Sequence, residues 1–326
     1  MPGIWIFVEL SEGSVRSETW ELMSVASEVA DGQQDGIRLL TFGSQLNLAL
    51  GELSNSSADE IYAFQDDRFD EPWPEAYFQA IVDLIGDEPP EVLLFPHTAL
   101  GDELAARVSI RLKCALVQGV VDVKVDQDGL VAHKYVYGGG VLAKATVPKG
   151  PWVIVPQPRA FPSERLASST TAKIVWKESA QSEGFRTARG VLTRQSKSLQ
   201  DIEGAKVIVA GGRGLGGPDG FGLLGEVAEL LNGVVAASRP VCDSGWVDRG
   251  LQVGLTGKTV APDLYMAVGI SGAIQHLMGC SGSKMIVAVN NDPGAPIFRI
   301  AHYGIVGDWA EVMSGLRDAL ASAAIE

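Results

Sequence analysis

The sequence predicts an α/β protein of two domains, and three observations lead to that fold class. Strand-like and helix-like segments alternate in both halves, a pattern typical of βαβ units and of a mostly parallel sheet. After Val117 the alternation gives way to consecutive strand-like segments separated by turns, which predicts antiparallel strands appended to the first sheet. The chain has 326 residues, whereas a typical domain has roughly 100–200, so two domains are expected.

The first half contains alternating strands and helices. Apolar residues recur at helical spacing in Glu18–Ala30, and short apolar runs bounded by turn residues indicate the strands. The predicted strands are Ile4–Leu10, Ile37–Phe42, Glu60–Phe64 and Val92–Phe95, and the predicted helices are Glu18–Ala30, Gln45–Glu52, Trp73–Ile85 and Gly101–Cys114.

The predicted antiparallel segments are Gly119–Val125, Leu130–Tyr137, Gly140–Val147 and Trp152–Pro156. Beyond them, prolines and polar residues interrupt regular structure over 157–203, which is typical of a connection between domains. We therefore place the boundary near residue 200, which gives an N-terminal α/β domain over 1–200 and a second α/β domain over 201–326.

The second half returns to the alternating pattern. Ala205–Ala210 is a buried strand and Gly220–Leu231 a helix, and the remaining segments repeat that order. The other predicted strands are Val234–Ala237, Leu264–Gly269 and Met285–Asn290, and the other predicted helices are Ala273–Gly279 and Trp309–Ala324.

Charge and cysteine usage exclude several classes of function. The net charge of −14 disfavours binding to nucleic acid or to an anionic membrane surface. The cysteines, Cys114, Cys242 and Cys280, form no CxxC pair, which argues against iron–sulfur clusters, structural zinc and a disulfide framework. No apolar run reaches the ~18 residues of a membrane span, and the first residues are those of a buried strand, so we expect no membrane insertion and a cytoplasmic location.

A glycine-rich loop, Gly212–Gly217, matches the pattern GxGxxG between a strand and a helix. In that context glycines let backbone amides approach a phosphate, and the dipole of the following helix favours the anion. Arg213 within the loop is a candidate phosphate ligand. A glycine turn without any ligand is the alternative interpretation.

Three further segments place polar groups after predicted strands, at the sheet edge where open α/β folds bind ligands. A fourth, Gln252–Tyr265, has two glycines that indicate a tight loop, in which Thr256 offers a hydroxyl to a ligand or is part of an ordinary turn. For each residue, a purely structural role is the alternative to ligand binding. Arg239 is predicted to be a fixed cation beside a ligand, and the alternative is an ordinary surface arginine. Ser271 is predicted to bind an anion, and the alternative is a helix N-cap. Asn290 and Asp308 are also predicted to contact a ligand. The structural alternative is a turn residue for Asn290 and a helix N-cap for Asp308. The segments are Ser238–Trp246, Gln252–Tyr265, Ser271–His276, and Asn290–Trp309.

Together the five segments, over about residues 205–320, resemble the C-terminal domain of electron-transferring flavoprotein alpha subunits. The first domain resembles that family in its βα pattern and in Phe95–Leu112. The resemblance implies a C-terminal Rossmann-like FAD-binding α/β domain that holds one extended FAD. It also implies a beta-subunit partner that packs on the first domain and carries AMP or a second FAD.

The resemblance also implies roles for individual residues. Arg213 contacts the cofactor, Arg239 lies over the isoalloxazine ring and favours an anionic reduced flavin, and Thr256 reaches the N5 edge. Where the family commonly has glutamine, this chain has Leu255. The pyrophosphate is bound by Ser271, Gly272, Ala273, Ile274, Gln275 and His276, with His276 turned towards the ring's carbonyl edge; Val253, Gly254, Leu255 and Thr256 wrap the ring, and Ser238, Asn290, Asp308 and Trp309 line the rest.

The resulting functional hypothesis is an electron carrier that works with an acyl-CoA dehydrogenase-type donor or acceptor and a quinone- or ferredoxin-linked partner. An NADH-oxidising, electron-bifurcating complex is the alternative, and its nicotinamide chemistry would belong to the beta subunit. A third hypothesis is a structural or regulatory protein that has kept the fold and lost the flavin. A stand-alone enzyme, including a nicotinamide-dependent dehydrogenase, is disfavoured because no acid–base pair or nucleophile accompanies the glycine loop.

Overall fold

The computed structural model describes residues 3–30, 36–86, 90–126, 129–137, 141–146, 150–163, 171–178, 185–188 and 202–323. The chain divides into two compact units, Met1–Leu192 and Thr193–Glu326. The boundary predicted near residue 200 falls within 189–201, outside the described residues.

The N-terminal unit contains a nine-stranded sheet in the order β11-β5-β4-β1-β6-β10-β7-β8-β9, beside a small hairpin of β2 and β3. Its strands are β1 (Ile4–Val8), β2 (Leu10–Ser11), β3 (Ser14–Val15), β4 (Ile37–Gly43), β5 (Glu60–Gln65), β6 (Val92–Leu94), β7 (Ala115–Asp126), β8 (Gly129–Val136), β9 (Val141–Thr146), β10 (Trp152–Pro156) and β11 (Lys173–Lys177). Its helices are α1 (Glu18–Ala30), α2 (Asn47–Leu53), α3 (Pro74–Ile85) and α4 (Ala99–Leu112).

The prediction that Trp152–Pro156 is antiparallel is wrong. This segment, β10, pairs in parallel with both β6 and β7, and every one of its residues is buried. A continuous apolar run is typical of a parallel strand that is covered on both faces. The apolar composition of this segment therefore indicated its pairing better than its place in the sequence after the hairpins did. The antiparallel pairing of β7, β8 and β9 is confirmed.

Strand β11 was not predicted, because Lys173–Lys177 lies in the stretch assigned to the domain connection. It pairs in parallel with β5 at the edge of the sheet. Lysine at both ends and partial exposure are typical of an edge strand, and they weaken the apolar signal on which the prediction relied.

The C-terminal unit is a six-stranded, wholly parallel sheet in the order β14-β13-β12-β15-β16-β17. Its strands are β12 (Val207–Gly211), β13 (Val234–Ser238), β14 (Gln252–Val253), β15 (Leu264–Val268), β16 (Met285–Asn290) and β17 (Tyr303–Val306). Its helices are α5 (Gly220–Leu230), α6 (Arg239–Asp243), α7 (Ile274–Cys280) and α8 (Trp309–Ala323). The short elements β14, β17 and α6 were not predicted, since two to five residues carry little periodicity.

Both sheets are covered by apolar layers on each face. Leu39 and Ile6 belong to one cluster of the first sheet, and Phe7 and Phe64 belong to the cluster on its other side. In the second sheet Tyr265 and Val209 occupy corresponding opposite clusters. Among the described residues, none of the helices combines the length and apolar composition needed to cross a bilayer.

Glu21 of α1 is an acidic side chain buried in the N-terminal unit. It is only 9% exposed, and its Oε2 accepts a hydrogen bond of 2.7 Å from the backbone amide of Arg159. Burial raises the pKa of this carboxyl from 4.5 to about 7, with the nearby Glu18 adding to the rise and the amide bond opposing it. The folded protein therefore holds this proton more tightly than the unfolded chain does.

The Glu21→Gln variant is expected to be more stable than the wild type at pH 8. Between pH 4.5 and 7 the folded state retains a proton that the unfolded state has lost, so wild-type stability falls as pH rises through this window. Glutamine keeps an acceptor for the Arg159 amide and has no charge to bury. We expect the free energy of unfolding to rise by about 2–3 kcal/mol at pH 8 and by less than about 1 kcal/mol at pH 5. Denaturant titrations that gave equal differences at both pH values would contradict this.

Candidate functional site

A cavity of about 670 Å³ lies at the carboxyl edge of the C-terminal sheet. The loops that follow β12 to β16 converge there, because the carboxyl ends of parallel strands share one edge. Most of the residues singled out from the sequence are brought together in its lining: Arg213, Ser238, Arg239, Val253, Gly254, Leu255, Thr256, Ser271, Ala273, Gln275, His276 and Asn290.

Four of the predicted site residues lie outside the cavity lining. Gly272 packs against the backbone of Ile297, and Ile274 is an exposed residue at the start of α7. Asp308 accepts a hydrogen bond of 2.9 Å from the Ala310 amide, so it caps α8. Trp309 follows the cap. For these four residues, ligand contact stays a prediction.

The glycine loop is locked to the end of β15 by backbone contacts. The amide of Gly212 donates to the Val268 carbonyl at 2.9 Å, and the amide of Gly214 donates to the Gly269 carbonyl at 2.9 Å. A Cβ atom on Gly212 would stand 2.3 Å from the Gly269 carbonyl oxygen, so only glycine permits this approach. The glycines thus hold two loops together and present Arg213 to the cavity.

A phosphate site at the start of α5, which the GxGxxG pattern predicts, stays a prediction. None of residues 216–220 lines the cavity. A Cβ atom on Gly220, at the first turn of α5, would stand 2.9 Å from the Trp309 ring, so the indole packs closely there. The cavity is lined instead by residues that follow β13, β14, β15 and β16, together with Arg213 and Gly214 of the glycine loop.

Arg239 begins the short helix α6 directly after β13. Its Nε donates to Asp243 Oδ2 at 3.1 Å, and Asp243 Oδ1 in turn accepts from Arg249 Nη2 at 3.2 Å. No described residue pairs with Nη1 or Nη2 of Arg239. One edge of the guanidinium is therefore fixed by Asp243, while its terminal nitrogens can serve a ligand.

Ser238 and Arg213 are polar lining residues without a partner among the described residues. Ser238 is only 6% exposed, and its hydroxyl does not cap α6. Arg213 makes no ion pair with any residue that the structure describes. A nearly buried hydroxyl and an unpaired guanidinium beside one cavity are the donors expected where an anionic ligand binds.

The loop from Gln252 to Lys258 forms one wall of the cavity. The side chain of Gln252 donates to Thr256 Oγ1 at 3.0 Å, and the Leu255 amide donates to the Gln275 carbonyl at 2.7 Å. Gly254 has a φ of +141°, a conformation that side chains rarely adopt. The loop is thus tied to α7, and the Leu255 side chain is 57% exposed.

His276 is buried, and both of its ring nitrogens have protein partners. Nε2 lies 2.9 Å from the Tyr265 hydroxyl, and Nδ1 lies 3.1 Å from the Val253 carbonyl. Burial lowers the pKa of the imidazole to about 4, with the Val253 bond opposing the fall, so the ring is neutral at pH 7. The ring also lines the cavity, and its contact with a ligand stays a prediction.

Ser271 is not the N-cap of α7, contrary to the structural alternative considered above. The helix begins at Ile274 after Ala273, which provides no side-chain cap, and the Ser271 carbonyl accepts from the Ile297 amide at 3.0 Å. The loop between β15 and α7 is therefore held by backbone contacts. Over the described residues, no cluster of three potential metal ligands occurs.

Several lining residues were not singled out as site residues from the sequence. Asp243 and Gln252 each hold a predicted ligand in place, and they fall within segments already recognised after β13 and beside β14. Their position close to those strand ends was the sequence signal that could have identified them as site residues. The other lining residues missed are Gly214, Pro240, Gly269, Ile270, Asp292, Ala295 and Pro296.

Comparisons with known proteins agree with this architecture. Residues 4–181 match the family model described as the electron transfer flavoprotein domain, and residues 201–281 match the electron transfer flavoprotein FAD-binding domain. The C-terminal domain is therefore of a type whose cofactor is FAD.

The chain is also similar to other proteins over nearly its whole length. The chain is 36% identical to an electron transfer flavoprotein subunit alpha of Thermoanaerobacterium thermosaccharolyticum, with 95% of each chain covered. It is 36% identical to the subunit alpha of Bacillus subtilis, over 94% of this chain and 93% of that one. It is 35% identical to the protein FixB of Clostridium saccharobutylicum, over 96% and 95%. On this evidence the chain belongs to the electron transfer flavoprotein alpha-subunit family.

Proposed function

We propose that the chain holds FAD in the C-terminal cavity and works as an electron carrier in a heterodimer with a beta subunit. The observation that supports this best is the donor set at one cavity: Arg213, the terminal nitrogens of Arg239, and the hydroxyl of Ser238, which has no partner among the described residues. A volume of about 670 Å³ lies within the range of roughly 300–1,000 Å³ usual for cofactor pockets. The residues present therefore fit an anionic dinucleotide.

FAD supplies the redox chemistry, and the protein supplies binding, orientation and electrostatics. Arg213 offers a cation for the phosphates. Arg239, oriented by Asp243, offers a cation to an electron-rich ring or to a phosphate. Val253–Thr256 form one wall of the cavity. No group of the described cavity has to act as a nucleophile, as expected for a carrier.

The N-terminal unit is proposed to pack on the beta subunit, which carries AMP or a second FAD. The electron donor is proposed to be an acyl-CoA dehydrogenase-type enzyme, and the acceptor a respiratory quinone-linked or ferredoxin-linked protein. We propose that the complex is located in the cytoplasm. The three cysteines of this chain, all free in the structure, would stay reduced there. Membership of the alpha-subunit family supports the heterodimer.

The experiment is anaerobic reduction of the co-purified heterodimer, followed by its flavin absorbance. We expect bleaching of the flavin when an acyl-CoA dehydrogenase and its acyl-CoA substrate are added, and no bleaching with either alone. Bleaching by NADH without any dehydrogenase would favour the bifurcating complex instead. A flavin that neither reductant bleaches would contradict the carrier role.

A further inference from the structure

A chain of two hydrogen bonds connects the centre of the C-terminal sheet to the wall of the cavity. It starts at Tyr265 on β15, which is fully buried, and passes through the imidazole of His276 on α7. It ends at the backbone carbonyl of Val253, at the end of β14. The two distances are 2.9 Å from the hydroxyl to Nε2 and 3.1 Å from Nδ1 to the carbonyl oxygen.

The direction of this chain follows from which groups can donate. A carbonyl oxygen only accepts, so Nδ1 of His276 must carry the proton. In the neutral ring Nε2 then has a lone pair and accepts from the Tyr265 hydroxyl. The lowered pKa of His276 agrees with a neutral ring. Both nitrogens are used in this way, so the imidazole presents no N–H group to the cavity.

The Val253 carbonyl belongs to the segment that shapes the wall. The segment that follows it is joined to α7 by two backbone bonds, from the Leu255 amide to the Gln275 carbonyl and from the Val260 amide to the Gly279 carbonyl. The bond from His276 is the one that joins α7 to the Val253 carbonyl itself, where this wall begins. The position of Val253, Gly254 and Thr256 at the cavity therefore depends on a side chain that Tyr265 orients.

We propose that Tyr265 is a positioning residue of the flavin site: through His276 it fixes the Val253 carbonyl and thereby the Val253–Thr256 wall. This inference rests on the proposed function for the identity of the ligand. Tyr265 itself does not line the cavity, so its effect on flavin is transmitted and not direct.

The first test is Tyr265→Phe in the co-purified heterodimer, with Tyr77→Phe as the matched control. Tyr77 also has a buried hydroxyl that bonds a carbonyl, that of Phe69 at 2.5 Å, but it lies in the N-terminal unit. We expect the FAD dissociation constant to rise about tenfold in Tyr265→Phe, which corresponds to about 1.4 kcal/mol. The control should lose thermal stability and keep its FAD affinity. Equal FAD affinities in Tyr265→Phe and the wild type would overturn the proposal.

The second test locates the proton on the His276 ring of the wild-type complex. Nitrogen-15 spectra of the histidine-labelled wild-type complex report the tautomer of each ring, and the His276 signals are those lost in His276→Gln. We expect the Nδ1-protonated tautomer in the wild type. An Nε2-protonated ring would overturn the proposal. A complex that holds no flavin would refute the proposed function, and the tautomer would still decide whether the contact exists.

Discussion

A Gly212→Ala heterodimer is expected to lose its FAD during purification. The new Cβ would stand 2.3 Å from the Gly269 carbonyl oxygen and 2.7 Å from the Ile270 side chain, and neither the backbone nor the buried side chain can give way cheaply. Overpacking of this kind costs about 1–3 kcal/mol, and here it must separate the two loops that present Arg213 and Ile270 to the cavity. We expect FAD affinity to fall by roughly 100-fold or more, measured as flavin retained after gel filtration.

Gly217→Ala is the control for this experiment. It lies in the same loop, but a Cβ atom there would meet nothing within 4 Å, and its φ is ordinary. The control should retain FAD at the wild-type level. If both variants kept their flavin, the glycine loop would not shape the site as described. If both lost it, the effect would not come from the contact with Gly269.

Removal of the Arg239 side chain in Arg239→Ala is expected to lower the reduction potential of the bound flavin. The guanidinium lines the cavity, and its cation stabilises negative charge on the reduced ring more than it stabilises the neutral oxidised ring. Since the side chain is 62% exposed, solvent screens much of this effect. We expect a fall of roughly 60 mV for one-electron reduction, which is a tenfold change in equilibrium.

Arg249→Ala provides the matched comparison. Arg249 pairs with the same carboxylate, Asp243, but it does not line the cavity. Loss of this cation should change the flavin potential by less than half as much as loss of Arg239. Potentials that were unchanged in Arg239→Ala, or lowered equally in both variants, would contradict the role of Arg239.

Much of the fold could be predicted because its elements have strong periodicity. The helix Glu18–Ala30 and the strand Met285–Asn290 were predicted with the bounds that the structure has. The pairing of β10 was not predicted, since a strand inserted between β6 and β7 looks in sequence like the next member of a meander. Sequence order does not specify which strands become neighbours when a chain returns to the middle of a sheet.

The residues that line the cavity could be predicted from the sequence where polar side chains follow buried strands, as with Ser238, Arg239 and Asn290. The contacts that fix those groups were not predictable in the same way. Asp243 orients Arg239 because both lie on α6, a helix too short to show a pattern. Tyr265 reads as an ordinary core residue, and its bond to His276 exists only once β15 and α7 are packed together.

The central claim is that the C-terminal unit holds FAD through the cavity at its sheet edge, and the flavin content of the purified heterodimer tests it most directly. We predict a yellow complex with at least one FAD per heterodimer, which is lost in Gly212→Ala and kept in Gly217→Ala. A wild-type heterodimer that is colourless, and that stays colourless after incubation with excess FAD, would contradict the claim.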